Sequence, residues 1–226
     1  MKLLTHYSAK LDKSQNDEYL NAILYLDPSY NSEVCKGKSK GCFESCLVNS
    51  GRMIMTNAVN ARKNRTEYYF NNNSMFLMTL KGEIAALLHK AEKQGKKLAI
   101  RLNGTSDIDF TVVYNSFPTV TFYEYTKRMD LVKKLHNINN VHVTFSKHEN
   151  HTLENVSYLV RKGINVAIVF ENKPPETLVN IKVIDGDKHD RRFEDMKGAI
   201  IGLKLKGTNK VKSLAIASGF ALQSAH

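Results

Sequence analysis

Apolar positions along this chain fall in short blocks separated by polar stretches. Seven blocks are dense in β-branched and aromatic residues: YLNAILYLD (19–27), LAIRLNG (98–104), TVTFYEYT (119–126), VHVTFS (141–146), NVAIVF (165–170), IKVID (181–185) and AIIGLKL (199–205). Each is a predicted β-strand, because such side chains pack well on a pleated surface. Several are apolar almost without a break, as expected of parallel strands covered on both faces.

Between many of these blocks the period changes from two to that of a helix. The segment SMFLMTLKGEIAALLHKAEKQG places Ile84, Leu87, Leu88 and Ala91 at helical spacing, with Ser74 as a predicted cap and Gly95 as the stop. HTLENVSYLVRKG runs from a Thr152 cap to Gly163, and KRMDLVKKLHNI sets Met129, Val132 and Leu135 on one side. Strand alternating with helix predicts an α/β fold: a partial (β/α) barrel with mostly parallel strands, with an open doubly wound sheet as the rival. Helix is scarce between 170 and 199, so that half is expected to be irregular or open. Residues 1–226 are expected to form a single α/β domain with a basic flexible tail after about 206.

In either architecture the functional groups collect after the carboxyl ends of the strands. The first strand leads into VCKGKSKGCFESC (34–46), which holds all three cysteines of the chain. The second ends in NGTSDID, the third in EYTKR, the fourth in SKHEN and the sixth in DGDKHD. This density of amide and titratable side chains suits a pocket, although loops are polar for other reasons as well.

Charge and cysteine usage narrow the chemistry. Thirty-three Lys and Arg against 22 Asp and Glu give a net charge of +11, which attracts nucleotides and nucleic acid; the lysines are dispersed, as on an ordinary solvated surface. No apolar stretch is long enough to span a bilayer, so a cytoplasmic protein with no membrane association is expected. Three thiols in a reducing compartment favour metal ligation over disulfides. Cys35, Cys42 and Cys46 are spaced C-x6-C-x3-C, so a helix beginning near Gly41 would put Cys42 and Cys46 on one face. Three thiolates suit a 4Fe-4S cluster with one iron open, or zinc completed by a distant histidine, with unrelated thiols as the plain alternative.

Other stretches carry weaker signals. Asp185, Asp187, His189 and Asp190 have the composition of a metal site, an acid/base group or a ribose contact, and equally of a solvated Asp-Gly turn. Asn103, Thr105 and Ser106 are candidate cofactor contacts beside Gly104, with Ser146 after the fourth strand and Glu149 as a further proton-transfer candidate. Arg52, Arg62 and Arg65 recur after the cysteines, in keeping with an anion grip or a solvated helix face. No serine-nucleophile elbow, P-loop, paired-histidine zinc helix or kinase signature is present.

GCFESCLVNSGR, ARKNRTEYYF, RLNGTSDIDF, FPTVTFYEYTKR, VHVTFSKHEN, NVAIVF, VIDGDKHDRRF and GAIIGLKLKG resemble, in that order, the bacteriophage gene product 88 family over roughly residues 3–220. The resemblance implies a phage protein in the host bacterial cytoplasm. More loosely, the chain is similar to radical S-adenosylmethionine enzymes, which join a partial α/β barrel to a three-cysteine loop after the first strand. It departs from their usual C-x3-C-x2-C spacing and Gly-Glu-Pro-like second turn. What this implies is an iron-sulfur enzyme using S-adenosylmethionine; the net charge of +11 suggests a nucleotide or nucleic-acid substrate. Asn103, Thr105, Ser106 and Ser146 would hold the cofactor, and Asp185, Asp187, His189 and Glu149 would contact substrate or move protons. The alternative is a zinc-stabilised nucleic-acid binding protein without catalysis, with Tyr68, Tyr69, Tyr123 and Tyr125 as stacking partners.

Overall fold

The computed structural model describes residues 1–6 and 18–223. All seven predicted strands form, as β2 (Tyr19–Leu24), β3 (Lys97–Arg101), β4 (Thr121–Thr126), β5 (Val141–Ser146), β6 (Asn165–Phe170), β8 (Ile181–Asp185) and β9 (Ile200–Lys204). Two-residue strands β1 (Leu4–Thr5), β7 (Thr177–Leu178) and β10 (Ala221–Leu222) are too short for a periodic signal. The helices are α1 (Lys40–Glu44), α2 (Thr56–Asn71), α3 (Asn73–Lys93), α4 (Thr111–Tyr114), α5 (Met129–Leu135), α6 (Leu153–Arg161) and α7 (Asn209–Ala217). Helix α6 starts where predicted: the Thr152 hydroxyl accepts the Asn155 N–H, and Asn155 returns the contact to the Thr152 N–H. Among the described residues no helix is long and apolar enough to cross a membrane.

The strands pair in the order β1-β2-β3-β4-β5-β6-β9-β8-β7, parallel from β2 to β8, with antiparallel partners at the two ends. This is a mixed α/β fold with a mostly parallel sheet. The sheet is open, with edges at β1 and β7, and does not close into a barrel. From β2 to β6 the spatial order follows the chain, so right-handed crossovers carry every intervening helix to the same face. The direction reverses only after β6, where the chain goes out to β8 and returns to β9 beside β6.

The two faces of the sheet differ accordingly. Alternate residues Ala22, Leu24, Ile100, Phe122, Phe145, Val166 and Ile168 join α3 residues Leu80 and Ile84 and α6 residues Val156 and Leu159 in the main core. The opposite face carries Tyr19, Arg101, Tyr123, Tyr125 and His142, and it is covered by the segment after β8. Phe193 packs on Tyr19, Tyr123 and His142 with ring centroids 4.9, 5.6 and 5.9 Å apart. Asp190 pairs with buried Arg101 at 3.4 Å, and the Arg101 guanidinium lies 4.4 Å from the Tyr125 ring centre. Tyr123 and Tyr125 are therefore engaged inside the fold, away from any stacking surface.

The segment after Leu205 differs from the predicted tail. Thr208 caps α7, and β10 then pairs with Val169 and Phe170 of β6. Leu205, Ala215 and Ala221 are buried together in a small second core. Lys206, Lys210 and Lys212 make the start of this segment basic, but the apolar residues between and after them are enough to dock it.

Candidate functional site: the cysteine pocket

The cysteine loop is built from local caps. The Asn31 side chain accepts from the N–H groups of Glu33 and Val34, opening the 3₁₀ turn Ser32–Cys35. Buried Val34 anchors it, and its carbonyl accepts the Asp107 N–H at 2.8 Å. Ser39 then caps α1 by accepting from Cys42 N–H. The remaining restraint comes from far along the chain. Glu149, after β5, accepts the Gly41 N–H at 2.8 Å and the Ser39 hydroxyl at 2.7 Å. A Cβ on Gly41 would fall 2.4 Å from the Ser218 oxygen, so only glycine lets α1 lie this close to the C-terminal segment. Helix α1 ends at Glu44, two residues short of Cys46, so Cys42 and Cys46 do not share a face of one helix. Cys46 begins the next turn instead, its N–H bonded to the Phe43 carbonyl.

The three thiols are half-buried and close enough to perturb one another. Burial pushes the Cys35 thiol up to about 12, with Lys127 opposing, and raises Cys46 in the same direction. Lys127, just past β4, is the cation of the pocket. Burial works against its charge, but Cys42, Cys35 and Asp107 outweigh burial and hold its pKa above the ordinary value. Its ammonium donates to the Ser146 hydroxyl at 3.0 Å. Asp107 accepts the Thr126 hydroxyl at 2.6 Å and the Lys127 N–H at 3.1 Å, while burial raises its pKa. Gly37 brings the loop backbone onto this pair: a Cβ there would lie 2.6 Å from the Asp107 carboxylate.

Arg62 corrects one of the sequence readings. It is 5% exposed rather than on a solvated helix face, and its charge is felt by Cys46. Lys127 was legible as a strand-end residue, but nothing local marked it as the cation facing the thiols.

The other predicted residues are placed as follows. Asn103 donates to the Ile108 carbonyl and accepts from both the Ile108 N–H and the Ser106 hydroxyl, while Thr105 donates to the Leu26 carbonyl. Asn103 and Ser106 thus brace their own loop, and Thr105 ties it to the segment after β2. Buried Glu124 adds a second brace by accepting the N–H groups of Leu102 and Asn103. Ser146 lies in the pocket through Lys127, and Glu149 positions the cysteine helix. Asp185, Asp187 and His189 stand apart, at the end of β8 and in the turn after it, three strands from β5 in the sheet. There Asp185 accepts the Asp187 N–H, and Asp187 pairs with Lys206 at 2.5 Å.

Among the described residues no group of three or more His, Cys, Asp or Glu side chains, the three cysteines included, is placed so that it could hold a metal ion as it stands. The donor chemistry of the pocket still fits a thiolate-bound group: three sulfurs, an ammonium beside them and a glycine that lets the loop backbone approach. The neighbouring histidines suit zinc poorly. His148 and His151 each accept a backbone N–H at Nδ1, and burial holds both below the usual imidazole range. In a neutral ring this leaves the proton on Nε2, so neither presents a free lone pair as a fourth ligand.

Fold and pocket together define a mixed α/β protein whose cysteine pocket lies at the carboxyl ends of a mostly parallel sheet. The sequence profile of the Gene product 88 family matches residues 2–223, and the chain belongs to that phage family. Comparison with curated proteins and with solved structures found no match.

Proposed function

We propose that this protein is an iron-sulfur enzyme that holds a 4Fe-4S cluster on Cys35, Cys42 and Cys46 and acts on a nucleotide or nucleic-acid substrate. The observation that carries this reading is the meeting of all three thiols with Lys127 at the carboxyl ends of the parallel strands. Such a cluster supplies one-electron chemistry, with S-adenosylmethionine as the co-substrate the sequence resemblance implies. The chain's own residues have distinct tasks. Lys127 and Arg62 offset negative charge on the thiolates, and Ser146 orients the Lys127 ammonium. Glu149 and Ser39 hold the helix that carries Cys42. The Cys35 thiol is protonated at neutral pH, so ligation must release its proton and strengthens as pH rises.

Anaerobic reconstitution with iron and sulfide, followed by metal analysis, tests the proposal. The expected product is brown and holds about four irons per chain, as a 4Fe-4S centre requires. Single Cys→Ala variants at 35, 42 and 46 should each lose most of it. Full iron retention in two of these variants, or a colourless protein with a single zinc, would refute the cluster and favour a zinc-stabilised binder.

A further inference from the structure

A cavity of about 260 Å³ opens where the cysteine loop meets the loop after β3 and the end of α2, and its lining includes Glu33, Lys36, Tyr69, Asp107, Asp109 and Arg128. Phe70 adds a second aromatic ring to the wall. The wall is braced by other rings. Tyr69 meets Phe70, Phe76 and Phe110 edge to face with centroids 5.0, 5.2 and 6.2 Å apart, and Phe70 stacks on Tyr30 at 5.3 Å. Asp107 joins this cavity to the thiol pocket: it lines the one, accepts the Lys127 N–H at 3.1 Å, and its charge is felt at Cys35.

The polar groups of the lining are open to solvent and keep unused atoms. Glu33 and Lys36, with side chains 55% and 49% exposed, pair at 2.6 Å through Glu33 Oε2, which leaves Oε1 without a partner among the described residues. Arg128, 23% exposed, donates from Nε and Nη2 to Asp130 at 3.3 and 2.5 Å, which leaves Nη1 in the same condition. Glu33, Asp107 and Asp109 against Lys36 and Arg128 make this lining acidic on a chain of net charge +11, so the cavity itself does not select a phosphate. It offers a carboxylate acceptor, a guanidinium donor and an aromatic wall. A flat ring with an amino group beside a ring nitrogen matches that set: the amino group donates to Glu33, the ring nitrogen accepts from Arg128, and the ring packs on Tyr69.

We infer that this cavity binds an amino-bearing nucleobase, adenine or cytosine, through Tyr69, Glu33 and Arg128. Resting on the nucleotide or nucleic-acid substrate proposed above, the site fixes which part of that substrate the protein recognises: the base, held against the turn that carries Cys35. Uracil would set a carbonyl oxygen against the Glu33 carboxylate and is selected against.

Calorimetric titration of the iron-free full chain with adenosine, cytidine and uridine tests this, with AMP and hexaadenylate as further arms. Saturable binding of adenosine or cytidine, about 10-fold or more tighter than uridine, is expected, the scale of one mismatched polar contact; the tightest of adenosine, AMP and hexaadenylate identifies nucleoside, nucleotide or nucleic acid as the source of the base. Glu33→Gln, at an exposed position, should cut the preference over uridine to about 3-fold or less. Tyr69→Leu should weaken every base about 10-fold, as for one lost stacking contact. The titration needs no iron, so it is decided separately from the cluster: a chain that binds adenosine but takes up no iron loses only the cluster, and one that takes up iron but binds no base loses only this site. Absence of base binding, equal binding of uridine and adenosine, or an unchanged preference in Glu33→Gln would overturn the inference.

Discussion

The Glu149 carboxylate accepts the Gly41 N–H at 2.8 Å, so a residue following β5 sets the position of a helix that follows β2, three strands away in the sheet. The same carboxylate takes the Ser39 hydroxyl, and its pKa is lowered by these hydrogen bonds despite burial. Glu149 is thus a positioning residue for Cys42. Glu149→Ala should free the first turn of α1 and cost about 1–3 kcal/mol, the usual loss for a charge-assisted hydrogen bond. Denaturant melts measure that loss, and alkylation of Cys42 by iodoacetamide should accelerate several-fold. Unchanged alkylation would show that Ser39 alone holds the helix.

Glu124 braces the end of β3 from the neighbouring strand, with one oxygen on the Leu102 N–H and the other on the Asn103 N–H. An amide in its place turns one acceptor into a donor facing a donor. Glu124→Gln is therefore expected to destabilise the fold by about 1–3 kcal/mol, read from the shift in chemical denaturation midpoint. A neutral result would mean that the loop carrying Asn103 and Ser106 is held by its own hydrogen bonds.

The hairpin between β7 and β8 turns through Val179 and Asn180, both at positive φ (47° and 61°). Such two-residue turns match the twist of the flanking strands, but a β-branched residue in this region is strained by about 1–2 kcal/mol. Val179→Asn should raise stability by about 1 kcal/mol and Tm by about 2–4 °C for a chain of this size. A lower Tm would locate an unrecognised role for the valine, which is 44% exposed.

Acid should act on the loop after β5. Burial first, and His151 next, lower His148 to about 4 from 6.5. Between those values the unfolded chain takes up the proton and the folded chain does not, so this contribution is complete above 6.5 and is lost as pH falls towards 4. Buried Glu124, raised to about 7 chiefly by desolvation, works in the opposite direction between 4.5 and 7. The test is accordingly the difference in unfolding free energy between wild type and His148→Gln across pH 4–7. That difference should shrink on acidification, and a constant offset would contradict it.

The seven long strands and the start of α6 were legible because their signals are local: branched residues in runs, Thr152 ahead of a helical pattern, Gly163 behind it. The cysteine cluster was visible for the same reason, as three thiols within one loop. Its surroundings were not. Lys127 and Glu149 reach the loop from the ends of β4 and β5, and their meeting with it depends on strand order rather than on any neighbour in sequence; Arg62 comes from the helix that follows the loop. The converse held at NGTSD, where a polar composition suggesting ligand contacts is used to brace the loop. The segment 190–195 reads as a charged turn, yet it lies across a polar sheet face that exists only because every crossover from β2 to β6 runs to the other side. Residue type and short-range period determined which segments became strands and helices and where the thiols lie along the chain. Tertiary structure alone decided which charges face those thiols, because burial and pairing over a hundred positions are properties of the assembled sheet.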